Sequence, residues 1–341
     1  MTAASRAELR VAAAVIKRPD GAILLSLRPT HTAHGGLWEF PGGKLEARER
    51  PVDGLARELG EELGIHIDAA TPLIVVRHAY PTNNVELMVF EVHAWRGEAH
   101  GREGQRIEWV APALLRTREF PAANMPVTTA AVLPRIVMVT PDLAGDERAF
   151  LARLEACLVS GIKLVQLRIR ATGAQRQRVI TAALEACRRH DARLTLNGAA
   201  QEALAFGVDG VHLNRQRLFE YAQRPVPGNM LLSAACHDAQ ELAQAERIGA
   251  DFVYLSPVAA TNSHPNAALL GWAQLRVLCA TSRVPVYALG GMTPQDLALA
   301  ARAGCQGIAM LSGIWDSKAP TKLLASAASA LLRAACFVRQ D

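Results

Sequence analysis

Four charged side chains crowd into the six positions from 57 to 62: Arg57, Glu58, Glu61 and Glu62. On a helix, Glu58, Glu61 and Glu62 stand at i, i+3 and i+4 and share one face, where like charges repel. A divalent cation turns that repulsion into binding, because Mg2+ takes hard oxygen ligands. The competing reading is a solvated acidic face, and the surroundings argue against it. Glu49 adds a carboxylate upstream, and Gly42-Gly43 let the backbone turn tightly against a ligand. Arg57 stands four residues before Glu61, where it can brace that carboxylate.

The element that carries the cluster has a legible start and stop. Pro51 suits a first helical turn and Gly64 a left-handed C-cap. Leu55, Leu59 and Leu63 repeat every four residues as the buried stripe. Upstream, the apolar runs 10–17 and 22–27 flank Pro19-Asp20-Gly21, a pattern that predicts a β-hairpin.

Gly43, Glu49, Arg57-Glu58-Leu59, Glu61-Glu62 and Gly64-Ile65 match every fixed position of the Nudix box, GX5EX7REUXEEXGU. The resemblance implies an α/β/α sandwich with a mixed sheet, and hydrolysis of a nucleoside diphosphate linked to another moiety. It also implies Mg2+ as cofactor, with Mn2+ able to substitute. The flanks LWEFPGGKLE, GREGQRIEWV and FPAANMPV are similar to those of the MutT-type 8-oxo-dGTP diphosphatases.

By that resemblance Glu58, Glu61, Glu62 and Glu103 ligate metal, and Arg57 orients them. One of Glu58 or Glu103 activates the water that attacks the β-phosphorus, releasing nucleoside monophosphate and pyrophosphate. Gly42, Gly43, Arg28 and Lys44 approach the phosphates, Phe40 lines the base pocket, and Asn124 reads the purine edge. YPTNN (80–84) lacks the family's Asp-Arg pair near the base.

From Pro134 onward the pattern changes. Apolar strand-like runs recur at 136–140, 164–168, 193–197, 210–213, 231–235, 252–256, 284–291 and 307–313, with helix-like stretches between them. Eight such units predict a TIM (β/α)8 barrel with its ligand groups at the C-terminal strand ends. The expected division is a first domain over 1–132 and the barrel over 133–341. Gly290-Gly291 and Ser312-Gly313 close the last two strands, where backbone N–H groups can cradle a phosphate.

QLR (166–168), DGVHL (209–213), GADFVYLSPV (249–258), ALGGMTP (288–294) and LSGI (311–314) resemble the thiamine phosphate synthase/TenI family. The resemblance implies a small phosphorylated thiazole- or thiamine-like ligand, touched by Gln166 and Arg168. The synthase's catalytic set is altered here. Arg170 replaces a lysine, Asn197-Gly198 lacks the metal-binding Asp, and Arg215-Gln216-Arg217 replaces an acidic ligand. Thr261-Asn262-Ser263-His264 lacks the pyrophosphate lysine. The TenI branch needs no metal, and His237 matches its general acid/base.

Composition sets the frame. In 341 residues, 37 Lys+Arg against 32 Asp+Glu leave a net +5, far from a nucleic-acid-binding face. Six cysteines without a CxxC pair read as reduced, buried thiols rather than a zinc site. No apolar run is long enough for a membrane span, which leads to an expected cytoplasmic location. Self-association stays open. The leading expectation is an enzyme that removes oxidised purine nucleotides, joined to a TenI-like barrel. The alternative is a hydrolase of another nucleoside triphosphate or a thiamine-related diphosphate, with a non-catalytic regulatory barrel.

Overall fold

Strand β1 (Glu8–Ile16) is buried on both faces, and that double burial organises the first unit. Successive side chains of a strand point to opposite faces. Ala12, Ala14 and Ile16 enter one core with Leu55, Leu59 and Leu63 of helix α1 (Pro51–Leu63). Ala13 and Val15 enter a second core with Val127, Ala130 and Ala131 of helix α2 (Met125–Val132). The computed structural model describes residues 8–32, 34–143, 145–261, 268–333 and 336–337.

Strands β2 (Ile23–Leu27), β3 (Trp38–Glu39) and β4 (Gly42–Lys44) precede α1. Strands β5 (His66–Ala79), β6 (Asn84–Arg96) and β7 (Ile107–Val110) follow it. β1 runs parallel to β6 and antiparallel to β4, so the main sheet is mixed. A second sheet has the order β3-β2-β7.

The expected hairpin of 10–17 with 22–27 does not form. The Arg18–Ala22 turn is present, but after a single Lys17–Ile23 bridge the strands part into different sheets. β2 has its own partners, β3 and β7, and contributes Leu24 to one core and Leu25 to the other.

The second unit is a closed barrel of eight parallel strands. They are β8 (Ile136–Val139), β9 (Leu164–Leu167), β10 (Arg193–Asn197), β11 (Gly210–Leu213), β12 (Leu231–Cys236), β13 (Phe252–Leu255), β14 (Val286–Leu289) and β15 (Gly307–Met310). Each falls on one of the eight runs read from the sequence. Helices follow the strands, among them α3 (Glu147–Val159), α4 (Gly173–Arg189), α5 (Ala200–Phe206), α6 (Arg215–Leu218) and α7 (Ala239–Arg247). Burial on both faces makes strands of a parallel sheet read as continuous apolar runs.

The compact units are Met1–Leu133 with Leu331–Asp341, and Pro134–Ala330. The expected second domain, 133–341, differs at its end. Strand β16 (Cys336–Phe337) pairs antiparallel with Ala69 and Ala70 of β5, giving the first unit's sheet an edge partner. The five cysteines whose side chains are described are buried and unbridged. Among the described residues no helix is long and apolar enough to cross a membrane.

Leu59→Ala should lower the stability of the first unit by about 2–5 kcal/mol, because its side chain is wholly buried between α1 and the sheet. Scanning calorimetry should show the first unit's transition moving and the barrel's staying in place.

Candidate functional site

Helix α1 is built to hold charge at one end of its polar face. Pro51 starts it, and Gly64 ends it at φ 71°, in the left-handed conformation the C-cap requires. Leu55, Leu59 and Leu63 anchor the buried side, so Arg57, Glu58, Glu61 and Glu62 face outward along the β4 edge.

Arg57 is the hub. Its Nε donates to Glu49 Oε1 (3.0 Å) and its Nη2 to Glu49 Oε2 (3.1 Å) and the Lys44 carbonyl (3.1 Å). Its Nη1 donates to Glu58 Oε1 (2.9 Å) and Glu61 Oε2 (3.3 Å). These partners, Glu49 foremost, push the guanidinium further above its ordinary range, and Arg57 in turn lowers the Glu49 carboxyl. Arg57 therefore holds three carboxylates through one guanidinium. Glu58 is largely covered, 16% exposed, whereas Glu61 is 58% exposed. Glu58 lies so close to Gly43 that a Cβ there would meet its Oε2 at 2.1 Å, so any side chain at 43 would push the Glu58 carboxylate aside. Gly42, at φ 141°, has the Ala12 carbonyl where its own Cβ would go.

Glu62 is the most perturbed acid of the cluster. Burial, then the charges of Glu39, Glu58 and Glu103, raise its carboxyl to about 8, against a hydrogen bond from the Gly42 N–H. The loop bearing exposed Glu103 is tied to the end of α1. Arg102 N and Gln105 Nε2 donate to the Glu62 carbonyl at 2.9 and 3.0 Å, and Arg102 Nη1 donates to the Gly60 carbonyl at 3.0 Å. These bonds satisfy carbonyls that a helix end leaves open. Glu39, missed in the sequence, belongs to the same group. Burial raises its carboxyl, and its ion pair with Arg28 opposes the rise. Its place one residue before Phe40 in LWEFPGG was the available signal.

Among the described residues no three His, Cys, Asp or Glu side chains already converge as a ligand set. Arg57 instead holds Glu58 and Glu61. The donor chemistry nonetheless fits a divalent cation, because Glu62 is surrounded by carboxylates whose mutual repulsion such an ion relieves.

The remaining residues expected at this site lie around it. Lys44 is exposed, and Arg28 is paired with Glu39. Phe40 is a core residue, stacked on Phe120 at 5.7 Å. Asn124 closes a short 3-10 turn at the start of α2 and is half-buried. The neighbouring Ala123 N–H donates to the Tyr80 hydroxyl at 3.2 Å, and the Tyr80 ring lies 4.9 Å from that of His34 and 4.4 Å from that of His78.

In the second unit a cavity of about 1340 Å³ opens at the C-terminal strand ends. Gln166, Arg168, His237, Gly290, Gly291 and Ser312 all line it, bringing the barrel's expected residues together. Gly313 is not part of the lining; a Cβ there would meet the Met292 carbonyl at 3.0 Å. Gly290 and Gly291 have φ of 97° and 67°, and a Cβ on either would strike the 257–260 backbone. Gln166 Oε1 is buried with no hydrogen-bond partner, an open acceptor on a residue of the cavity wall. Asn262, Ser263 and His264 lie outside the described residues.

His237 is exposed in the cavity wall, and its orientation is set by two bonds. Its Nδ1 lies 2.5 Å from the Ser256 carbonyl, to which only an Nδ1–H can donate, leaving Nε2 as the proton acceptor. Its backbone N–H donates to Glu241 Oε2 at 2.8 Å. Glu241, four residues on, went unnoticed in the sequence because a lone acid in a helix carries no signal of burial.

The synthase's Mg2+ does not fit this chain. Where the family has a carboxylate, a Cβ on Gly198 would meet Glu202 Oε2 at 2.8 Å and Arg176 Nη2 at 3.3 Å. Those two side chains form an ion pair that fills the space, with Arg176 Nη2 donating to Glu202 Oε2 at 2.8 Å.

Comparison with known proteins divides at the same place. The NUDIX domain profile matches residues 12–130, and the thiamine monophosphate synthase profile matches 136–314. The 8-oxo-dGTP diphosphatase of Proteus vulgaris is 40% identical over 97 residues, covering 28% of this chain and 87% of that protein. The 8-oxo-dGTP diphosphatase of Escherichia coli (strain K12) is 33% identical over 120 residues, covering 35% of this chain and 93% of that protein. The thiamine-phosphate synthase of Chloroflexus aurantiacus is 33% identical over 211 residues, covering 61% of this chain and 94% of that protein.

The Glu62 carboxyl predicts a pH effect of definite sign. The folded chain holds this proton up to about pH 8, whereas the unfolded chain releases it near the ordinary 4.5. This contribution to stability is complete below the lower value and is lost as pH rises to the higher one. In chelator, the melting temperature of the first unit should therefore fall more steeply between pH 5 and 8 than in Glu62→Gln. Parallel curves for the two proteins would refute the assignment.

Proposed function

We propose, of a chain that belongs to the NUDIX domain family through its first unit and to the thiamine monophosphate synthase family through its second, that it joins a nucleotide pyrophosphohydrolase to a phosphate-binding barrel. The observation that carries the first half is the carboxylate group Glu39, Glu58, Glu62 and Glu103 packed beside one arginine-held helix. The substrate is an oxidised purine nucleoside triphosphate, 8-oxo-dGTP, cleaved to 8-oxo-dGMP and pyrophosphate, which keeps the damaged base out of DNA. The two bacterial 8-oxo-dGTP diphosphatases support that choice.

Glu58, Glu61, Glu62 and Glu103 would hold Mg2+, or Mn2+ in its place, and the ion would supply positive charge for the phosphate oxygens. Arg57 would then give up Glu58 and Glu61 while remaining on Glu49. Either Glu58 or Glu103 takes the proton of the attacking water. Arg28 and Lys44 are the cations offered to the phosphates, the Asn124 amide is the group offered to the purine edge, and Phe40 is the residue offered to the base pocket.

For the barrel, the reading is a TenI-like site for a thiazole- or thiamine-type phosphate. Gly290, Gly291 and Ser312 offer backbone N–H groups to the phosphate, and Gln166 and Arg168 line the same cavity, with β8 between β9 and β15. His237 moves a proton at Nε2, with Nδ1–H held by Ser256. The filled space beside Gly198 argues against pyrophosphate-releasing synthesis.

Glu61→Gln should reduce kcat on the order of 10²-fold with the fold intact, the scale of losing one group that stabilises transition-state charge. In a panel of 8-oxo-dGTP, dGTP, dCTP and thiamine diphosphate, kcat/KM for 8-oxo-dGTP should exceed that for dGTP by about tenfold or more. Equal values would end the sanitising assignment and leave a hydrolase of other nucleotides. His237→Ala should slow thiazole phosphate tautomerisation by about 10²-fold or more. An unchanged rate would make the barrel a binding module.

A further inference from the structure

Tyr80 directly follows strand β5, and its hydroxyl reaches a segment 43 residues further along the chain. Its backbone N–H donates to the Asn83 carbonyl at 2.8 Å, which fixes the turn between β5 and β6. Its ring packs against the core that holds Phe40, Phe120 and Ala123. The rings of His34 and His78 lie 4.9 and 4.4 Å away, tilted and edge-on, as aromatic pairs prefer. The phenol is thus held at its backbone, its ring and its hydroxyl.

The far end of the hydroxyl bond is the short 3-10 turn Ala122–Asn124. The first N–H groups of a helical turn have no acceptor within it, and the turn's N-cap, Pro121, supplies no side-chain hydrogen bond. Ala123 is 3% exposed, so its N–H needs a partner from elsewhere. The Tyr80 hydroxyl accepts it at 3.2 Å. The next residue, Asn124, stands at the N-cap of α2. Asparagine at that position ordinarily accepts an N–H of its own helix, yet Asn124 makes no side-chain cap hydrogen bond. Its amide is not used in capping α2.

We propose that Tyr80 is a specificity-determining positioning residue for the base: by accepting the Ala123 N–H, it fixes the turn that presents the Asn124 amide to a purine nucleotide. This rests on reading Asn124 as the purine-contacting amide and adds what holds that amide in place. Hydrogen bonds weaken steeply away from their preferred distance and angle, so a turn free to shift would loosen the grip on the base. The carboxylates around Arg57 carry the phosphate chemistry. Tyr80 therefore governs how well the base is held, not how fast the bond breaks.

The test is steady-state hydrolysis of 8-oxo-dGTP in Mg2+ by the full-length chain, for the wild type, Tyr80→Phe, Asn124→Ala and the double variant. Tyr80→Phe removes one oxygen and keeps the ring, so the core stays filled. KM should rise about two- to tenfold in it, the scale of one neutral hydrogen bond, with kcat within about twofold of the wild type. Asn124→Ala should raise KM at least as far. The double variant should match Asn124→Ala, because residues that act through one contact are not additive. Amide exchange followed by NMR should show the Ala123 N–H less protected in Tyr80→Phe.

The same rise in KM from Tyr80→Phe with and without Asn124 would overturn the proposal, since Tyr80 would then act independently of the amide. A loss confined to kcat, or unchanged exchange at Ala123, would overturn it too. If Asn124→Ala raises KM and Tyr80→Phe does not, this inference alone falls. If Asn124→Ala leaves KM unchanged, the reading of the amide falls and this inference with it. A wild type that leaves 8-oxo-dGTP intact would remove the proposed substrate and both readings together.

Discussion

Arg57 gives its guanidinium N–H groups to Glu49, Glu58, Glu61 and the Lys44 carbonyl at once, and the first unit's acidic helix depends on that sharing. Carboxylates this close repel one another, and only a cation in their midst lets them stay ionised and ordered. Without a metal, Arg57 is that cation. The arrangement keeps Glu49, Glu58 and Glu61 gathered on one side chain. For Glu62, burial first and then the charges of Glu39, Glu58 and Glu103 raise the carboxyl to about 8.

The barrel cavity carries fixed cations instead, Arg168 and Arg215 both lining it. A guanidinium keeps its charge at every working pH, whereas a cluster of carboxylates depends on what cation is near it.

Much of this was legible in the sequence, for reasons that can be named. The limits of α1 followed from Pro51 and Gly64, because each has few other uses in a chain. The eight barrel strands followed from short apolar runs, since burial on both faces leaves no room for polar residues. The pairing of β1 and β2 was misread because a turn signal fixes a reversal of direction but not the sheet that each arm joins. Glu39, Glu241 and the Arg176–Glu202 pair were hidden for a related reason. A single charged residue shows nothing of its burial until the fold has brought its partner from a distant position.

The short strand β16 has a consequence of its own. It reaches back to β5, so the barrel lies in the chain between two parts of one sheet. During synthesis, the edge of β5 at Ala69 and Ala70 stays unpaired until the whole barrel has been made. An open edge is a template for wrong pairing, and domains fold in order as they emerge. The first unit is thus the earliest to be made, and those two positions of its sheet are paired only by a chain that has been translated through the barrel.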